Sequence, residues 1–169
     1  MTTKEEVITA LEASETRVDR LAPVLLAHPD AKLIDSEWTV WQALCHVAAR
    51  ANALPLAARL AERIRAAQAE GQPINWRGSN RGVDINQGQI DERQGHAVPD
   101  LLSEIHAGHQ AALAGVRELS VEAWDQRFPR FTGEGEMTMG ELILLSGSGH
   151  ENSHLDQIEK AIETAAPAR

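Results

Sequence analysis

The chain has 169 residues, 43% of them hydrophobic and 24% charged, with a formal net charge of −9. This is the balance of a folded globular protein, and 16 Lys and Arg dispersed among 25 Asp and Glu leave no basic face for nucleic-acid phosphates. No apolar run approaches the ~18 residues a membrane span needs, Met1-Thr2-Thr3-Lys4 opens without an apolar signal core, and one cysteine, Cys45, excludes an internal disulfide, so the expectation is a cytoplasmic protein with neither nucleic acid nor membrane as partner.

In chain order, Thr3 with Glu6 forms a reciprocal cap, each side chain satisfying a free backbone donor of the other residue. It predicts a first helix from about Lys4 to Ala27, with Val7, Leu11, Val18, Leu21 and Leu25 on one stripe and Pro23 loosening its last turn. Thr39 with Gln42 opens a second helix running to about Glu70, which Pro55 must kink or split. Residues 71–96 then carry five glycines among many Asn, Gln and Arg side chains. So long a loop is usually functional, and Trp76, Ile85 and Ile90 are expected to anchor it as a flap over the bundle mouth. Pro99 suits the first turn of a third helix to about Leu119, and Ser120 to Trp124 adds a short turn. Thr138 with Glu141, stapled by Met137 and Leu142, opens the fourth helix from about Met139 to Glu163. No period-2 run of β-branched residues is present. The predicted fold is all-α, an antiparallel four-helix bundle with a long crossover between the second and third helices. It is read as a single domain over 1–165, with a frayed tail at 166–169.

The fourth helix carries His150 and His154 four residues apart, which places their Cβ atoms roughly 5 to 6 Å from each other. Two imidazoles at that spacing can close on one metal ion at about 2.0 to 2.1 Å. They share a stripe with Ile143, Gly147, Ile158 and Ala161, so the pair is expected to face inward. On the second helix His46 shares a stripe with Ala43, Ala49, Ala53, Ala57 and Ile64, and it too points in. Three inward imidazoles need either three separate hydrogen-bond partners or one shared cation, and the chelating pair favours the cation. Zn, Ni, Cu and Fe all suit imidazole, so the sequence leaves the divalent metal open. Three protein ligands leave a fourth position vacant, as in catalytic sites, where a metal lowers the pKa of water or deprotonates a thiol. His109 on the third helix is read as a core or supporting histidine, with a fourth-ligand role as the alternative. Cys45 lies about 100° round the helix from His46 and reads as a small buried hydrophobe.

His150-Glu151-Asn152-Ser153-His154 also satisfies the HExxH pattern of zinc peptidases. The continuation Leu155-Asp156-Gln157 supplies neither the glycine nor the third histidine of the extended pattern, and no sheet is predicted to hold a peptide.

Trp38-Thr39-Val40 entering the second helix, His46, Asp84-Ile85-Asn86 in the crossover, Met137-Thr138-Met139-Gly140-Glu141-Leu142, and the His150/His154 pair together resemble the DinB/YfiT-like family of metalloenzymes over nearly the whole chain. The resemblance implies a divalent metal held by His46, His150 and His154. Members include bacillithiol S-transferases and mycothiol-dependent maleylpyruvate isomerases, which implies a low-molecular-weight thiol as cosubstrate. The isomerase branch has Glu at the first ligand position of the last helix, where this chain has His150.

Around that centre Arg50, one turn beyond His46, is a candidate to receive a substrate carboxylate, and Glu151, about 100° off the histidine stripe, is a candidate to orient a ligand or move a proton, with a helix-surface carboxylate as the alternative. Arg81, Asn86 and Arg93 are candidate contacts from the flap to a small-molecule substrate. The leading reading is a thiol-dependent S-transferase or isomerase acting on a small electrophile. A non-catalytic small-molecule binding protein and a metal-dependent hydrolase are the competing classes. A homodimer, with Trp41 or Trp124 at its interface, stays open.

Overall fold

The computed structural model describes residues 2–34, 36–71, 81–130 and 135–165, with backbone alone at 81–84 and 165. The fold is mostly helical. Helix α1 (Lys4–Ala27) starts at the Thr3/Glu6 capping box and runs through Pro23 to its predicted end. The Thr39/Gln42 box opens α2 (Val40–Arg50), after which the chain breaks at Ala51 and Asn52 and resumes as α3 (Ala53–Ala69). The expected split of the second helix therefore falls just before Pro55. That residue sits in the first turn of α3, where a backbone N–H has no intrahelical acceptor to lose.

The crossover holds α4 (Arg81–Asp91) where the sequence suggested an ordered flap with no helix of its own. Ile90 anchors it in the core at 2% exposure and Ile85 stays 58% exposed, while Trp76 lies outside the described residues. Next come α5 (Val98–Glu118) and the short α6 (Val121–Trp124). A small antiparallel hairpin follows, β1 (Arg127–Pro129) paired with β2 (Glu136–Thr138) in the register Phe128↔Met137. It buries Phe128 and Met137, and Arg65 stacks its guanidinium 5.4 Å from the Phe128 ring. Strands of three residues leave too few alternations to register in a periodicity reading.

The Thr138/Glu141 box opens α7 (Met139–Ser146), and α8 (Ser148–Ala165) is the last of the described elements. The single fourth helix expected from the sequence is thus two, broken at Gly147. There α3 comes so close that a Cβ on Gly147 would lie 2.5 Å from Ala53 Cβ. Packing links α1 to α5 and α8, α3 to α5 and α7, and α2 to α4, α5 and α8. The meeting of α2, α4 and α8 positions the site.

Candidate metal centre

Helix α2 is buried on most of its circumference, and His46, 2% exposed, lies among Ala43, Val47 and other buried neighbours. On α8 the fully inward stripe is Glu151, Leu155, Ile158 and Ile162, all buried. His150 and His154 flank that stripe and are half-buried. The sequence reading placed the two histidines on the core face and Glu151 off it. The break at Gly147 starts α8 afresh, so a stripe extended from Ile143 across it misassigns the inner face.

The three imidazoles nonetheless converge. His46 Nε2 lies 2.9 Å from His150 Nε2, which lies 3.2 Å from His154 Nε2, and the candidate ligand atoms of the triad all fall within 4.8 Å of one another. The rings pack edge to face, with centroids 4.7 to 5.2 Å apart. Trp38 covers them from one side, its ring 5.2 Å from His46 and 6.0 Å from His154.

Tautomers are set from behind. His46 Nδ1–H donates to Gln89 Oε1 at 2.7 Å, and His154 Nδ1–H donates to Gln157 Oε1 at 3.0 Å. Both rings therefore turn an unprotonated Nε2 toward His150. One proton on His150 Nε2 can satisfy only one of these two close contacts, and the other sets lone pair against lone pair. A cation between the three nitrogens resolves the conflict. Ligands at 2.0 to 2.1 Å from a metal are separated by about 2.9 Å at right angles and about 3.3 Å at tetrahedral angles, the range in which the two measured separations fall. The residues fit a divalent ion.

Electrostatics act in the same direction. Burial pushes the His46 imidazole down to about 4, helped by the neighbouring His154. Burial, then the charge of Arg50, then His154 and His46, push His150 down to about 3. His154 is lowered chiefly by burial, against the Gln157 hydrogen bond. Neutral imidazoles are the form that binds metal.

Glu151 points away from this centre. Its Oε2 accepts a 2.8 Å hydrogen bond from His109 Nε2 in the protein interior, where His109 is fully buried and the carboxylate nearly so. His109 thus stands outside the triad and beside it in the core. Glu151 is no helix-surface carboxylate, and it is not available as the base that an HExxH peptidase requires. Cys45 is buried, and its thiol is raised to about 11 by desolvation, the behaviour of a packing residue and not of a nucleophile.

A cavity of about 710 Å³ opens beside the triad and shares His150 and Gln89 with it. Arg50 lines this cavity with the apolar Leu56, Leu60, Ile85 and Leu145. Two further arginines, Arg59 and Arg63, also line it; the sequence reading did not single them out. Of the residues expected to reach substrate from the crossover, Arg93 is engaged elsewhere. Its Nε donates to Glu104 at 3.0 Å, its Nη1 donates to the Gln89 carbonyl at 2.9 Å, and a second contact joins it to Glu104. Asn86 lies half-buried on α4, and the side chain of Arg81 lies outside the described residues. Gln89 is a further residue that sequence reasoning missed. Nothing in its surroundings distinguished it from the other amides of the crossover.

Comparison with known proteins agrees with this architecture. The family model of the DinB superfamily matches residues 5–158. Among solved structures the chain is similar to an uncharacterised protein from Clostridium difficile 630, with a TM-score of 0.69 and 12% identity over 98% of this chain and 99% of that one. It is similar also to an uncharacterised protein from Escherichia coli UTI89, with a TM-score of 0.65 and 16% identity over 98% and 95%. At these identities the likeness is one of fold. The curated proteins give no match. Among the described residues no helix is long and apolar enough to cross a membrane.

Proposed function

The chain belongs to the DinB superfamily, and we propose that it is a metal-dependent enzyme that transfers a low-molecular-weight thiol to a small electrophile, with His46, His150 and His154 as ligands of one divalent cation. The observation that carries this reading is the convergence of three neutral Nε2 atoms, 2.9 and 3.2 Å apart in sequence of contact, at the edge of a cavity. A Zn, Ni or Fe ion held by three imidazoles supplies Lewis acidity and favours the deprotonated form of a thiol. In the transfer, the thiol sulfur forms a bond to the electrophilic carbon, the leaving group departs with the electron pair of the bond it breaks, and the thiol proton passes to solvent.

The protein's own residues orient and shield. Gln89 and Gln157 hold two rings in the ligating tautomer, and Trp38 stacks on His154 and lies tilted against His46. Arg50 stands near enough to depress His150, placed to receive a negatively charged group of the substrate. Glu151, paired with His109, takes no part in proton transfer.

The test is turnover by zinc-loaded protein of monochlorobimane with cysteine, glutathione, coenzyme A and bacillithiol in turn. The reading expects a rate that saturates with one thiol and is lost in His150→Ala with the circular dichroism spectrum unchanged. Turnover of activated esters without any thiol assigns the centre to hydrolysis instead. Absence of metal from the purified protein assigns the cavity to non-catalytic binding.

A further inference from the structure

The cavity beside the triad is cationic within an acidic protein. Arg50, Arg59 and Arg63 all line it, and no carboxylate does among the described residues, although the chain as a whole carries a net charge of −9. Arg50 is half-buried, and its Nε is buried with no hydrogen-bond partner among the described residues. Its pKa is lowered by burial and next by the charge of Arg59, which places a second guanidinium close by on the cavity wall. A guanidinium stays charged under any physiological condition, so a desolvated donor beside a like charge is unfavourable unless an anion enters. Leu56, Leu60, Ile85 and Leu145 supply an apolar side to the wall, and the neutral polar groups of Gln89, Ser146 and His150 complete it. Ile85 and Leu145 are 58% and 49% exposed, a placement that suits contact with a ligand's alkyl portion.

We infer that this cavity binds an amphipathic organic anion, its acid group held by Arg50 and Arg59 and its hydrocarbon portion lying on the apolar wall. The anion site stands on the cavity alone. Its identification as the site of the electrophilic substrate rests on the metal-centre reading, because His150 belongs to both cavity and triad. The class implied is a small acid carrying an apolar chain and a reactive carbon, with the acid group directed toward Arg50.

The experiment is calorimetric titration of metal-free and zinc-loaded protein with octanoate, octyl phosphate, octanamide and acetate, for the wild type, Arg59→Gln and Arg50→Gln. Arg59 is exposed, so its variant keeps the fold even where Arg50→Gln does not. Octanoate or octyl phosphate is expected to bind at least tenfold more tightly than octanamide and acetate, and the two separate a carboxylate from a phosphate preference. Arg59→Gln is expected to weaken the preferred anion by fivefold or more. Octanamide binding as tightly as both anions, or Arg59→Gln leaving their affinities within twofold, overturns the inference. Anion binding by a protein that takes up no zinc upholds the site and removes only the metal-centre reading.

Discussion

Gln89 Oε1 accepts a 2.7 Å hydrogen bond from His46 Nδ1, and this bond joins the crossover helix to the triad. It fixes which nitrogen of His46 faces His150. Partners of this kind behind a metal-binding histidine typically contribute 10- to 100-fold in affinity. Gln89→Leu is therefore expected to weaken zinc binding by about tenfold and, by leaving the buried His46 Nδ1–H without an acceptor, to lower the melting temperature of the metal-free protein by the equivalent of about 1 to 3 kcal/mol. Competition with a chromophoric chelator measures the first and differential scanning fluorimetry the second.

The buried His109–Glu151 pair is a structural element apart from the triad. His109→Leu leaves the buried Glu151 without its donor, a loss of about 1 to 3 kcal/mol. The double variant His109→Leu/Glu151→Leu, with no polar group left unpaired, should recover part of that loss. Urea denaturation reads both. Zinc stoichiometry should remain that of the wild type in each, whereas a fourth-ligand role for His109 predicts that it drops.

Acid should destabilise the metal-free protein through the triad. His46 and His150 are depressed from 6.5 to about 4 and about 3 in the folded state, so between those values and 6.5 the unfolded chain binds protons that the fold refuses. Stability is then full above about pH 6.5 and falls as pH drops toward the folded values. The melting temperature should decline across that window, and His46→Leu should flatten the slope. A profile level from pH 7 to pH 4 in the metal-free wild type contradicts the burial of neutral imidazoles.

Gly147 marks the break that sets the register of α8. A methyl group there meets Ala53 Cβ at 2.5 Å, and overpacking of this kind costs about 1 to 3 kcal/mol. Gly147→Ala is expected to lose stability by that amount in chemical denaturation. It should also weaken zinc binding, because α8 carries two of the three histidines. Unchanged affinity would show that the register of α8 is held from its other end.

Much of this was legible in the sequence where a local signal is strong. Thr3, Thr39 and Thr138 announced three helix starts to the residue, since a capping box needs only four consecutive positions. His150 and His154 announced a chelating pair because the spacing survives any small shift in the helix. What the sequence hid depends on tertiary approach. The break at Gly147 lies against Ala53, a residue far away in the chain, and extending one stripe across it misplaced Glu151. The helix at Arg81–Asp91 is obscured by the glycines at 82 and 88, which weaken helix propensity where packing of Ile90 prevails. Gln89, Arg59 and Arg63 carry no spacing signature, and only the meeting of α2, α3, α4, α7 and α8 brings them to the cavity.

The central claim is that three histidines from two helices clamp one cation. Metal content measured by plasma mass spectrometry on wild type, His46→Ala and His154→Ala, each checked for helicity, tests it most directly. The account predicts close to one equivalent of a divalent transition metal in the wild type and at least a tenfold loss in both folded variants. Full occupancy retained in folded His46→Ala would contradict it, because α2 would then supply no ligand.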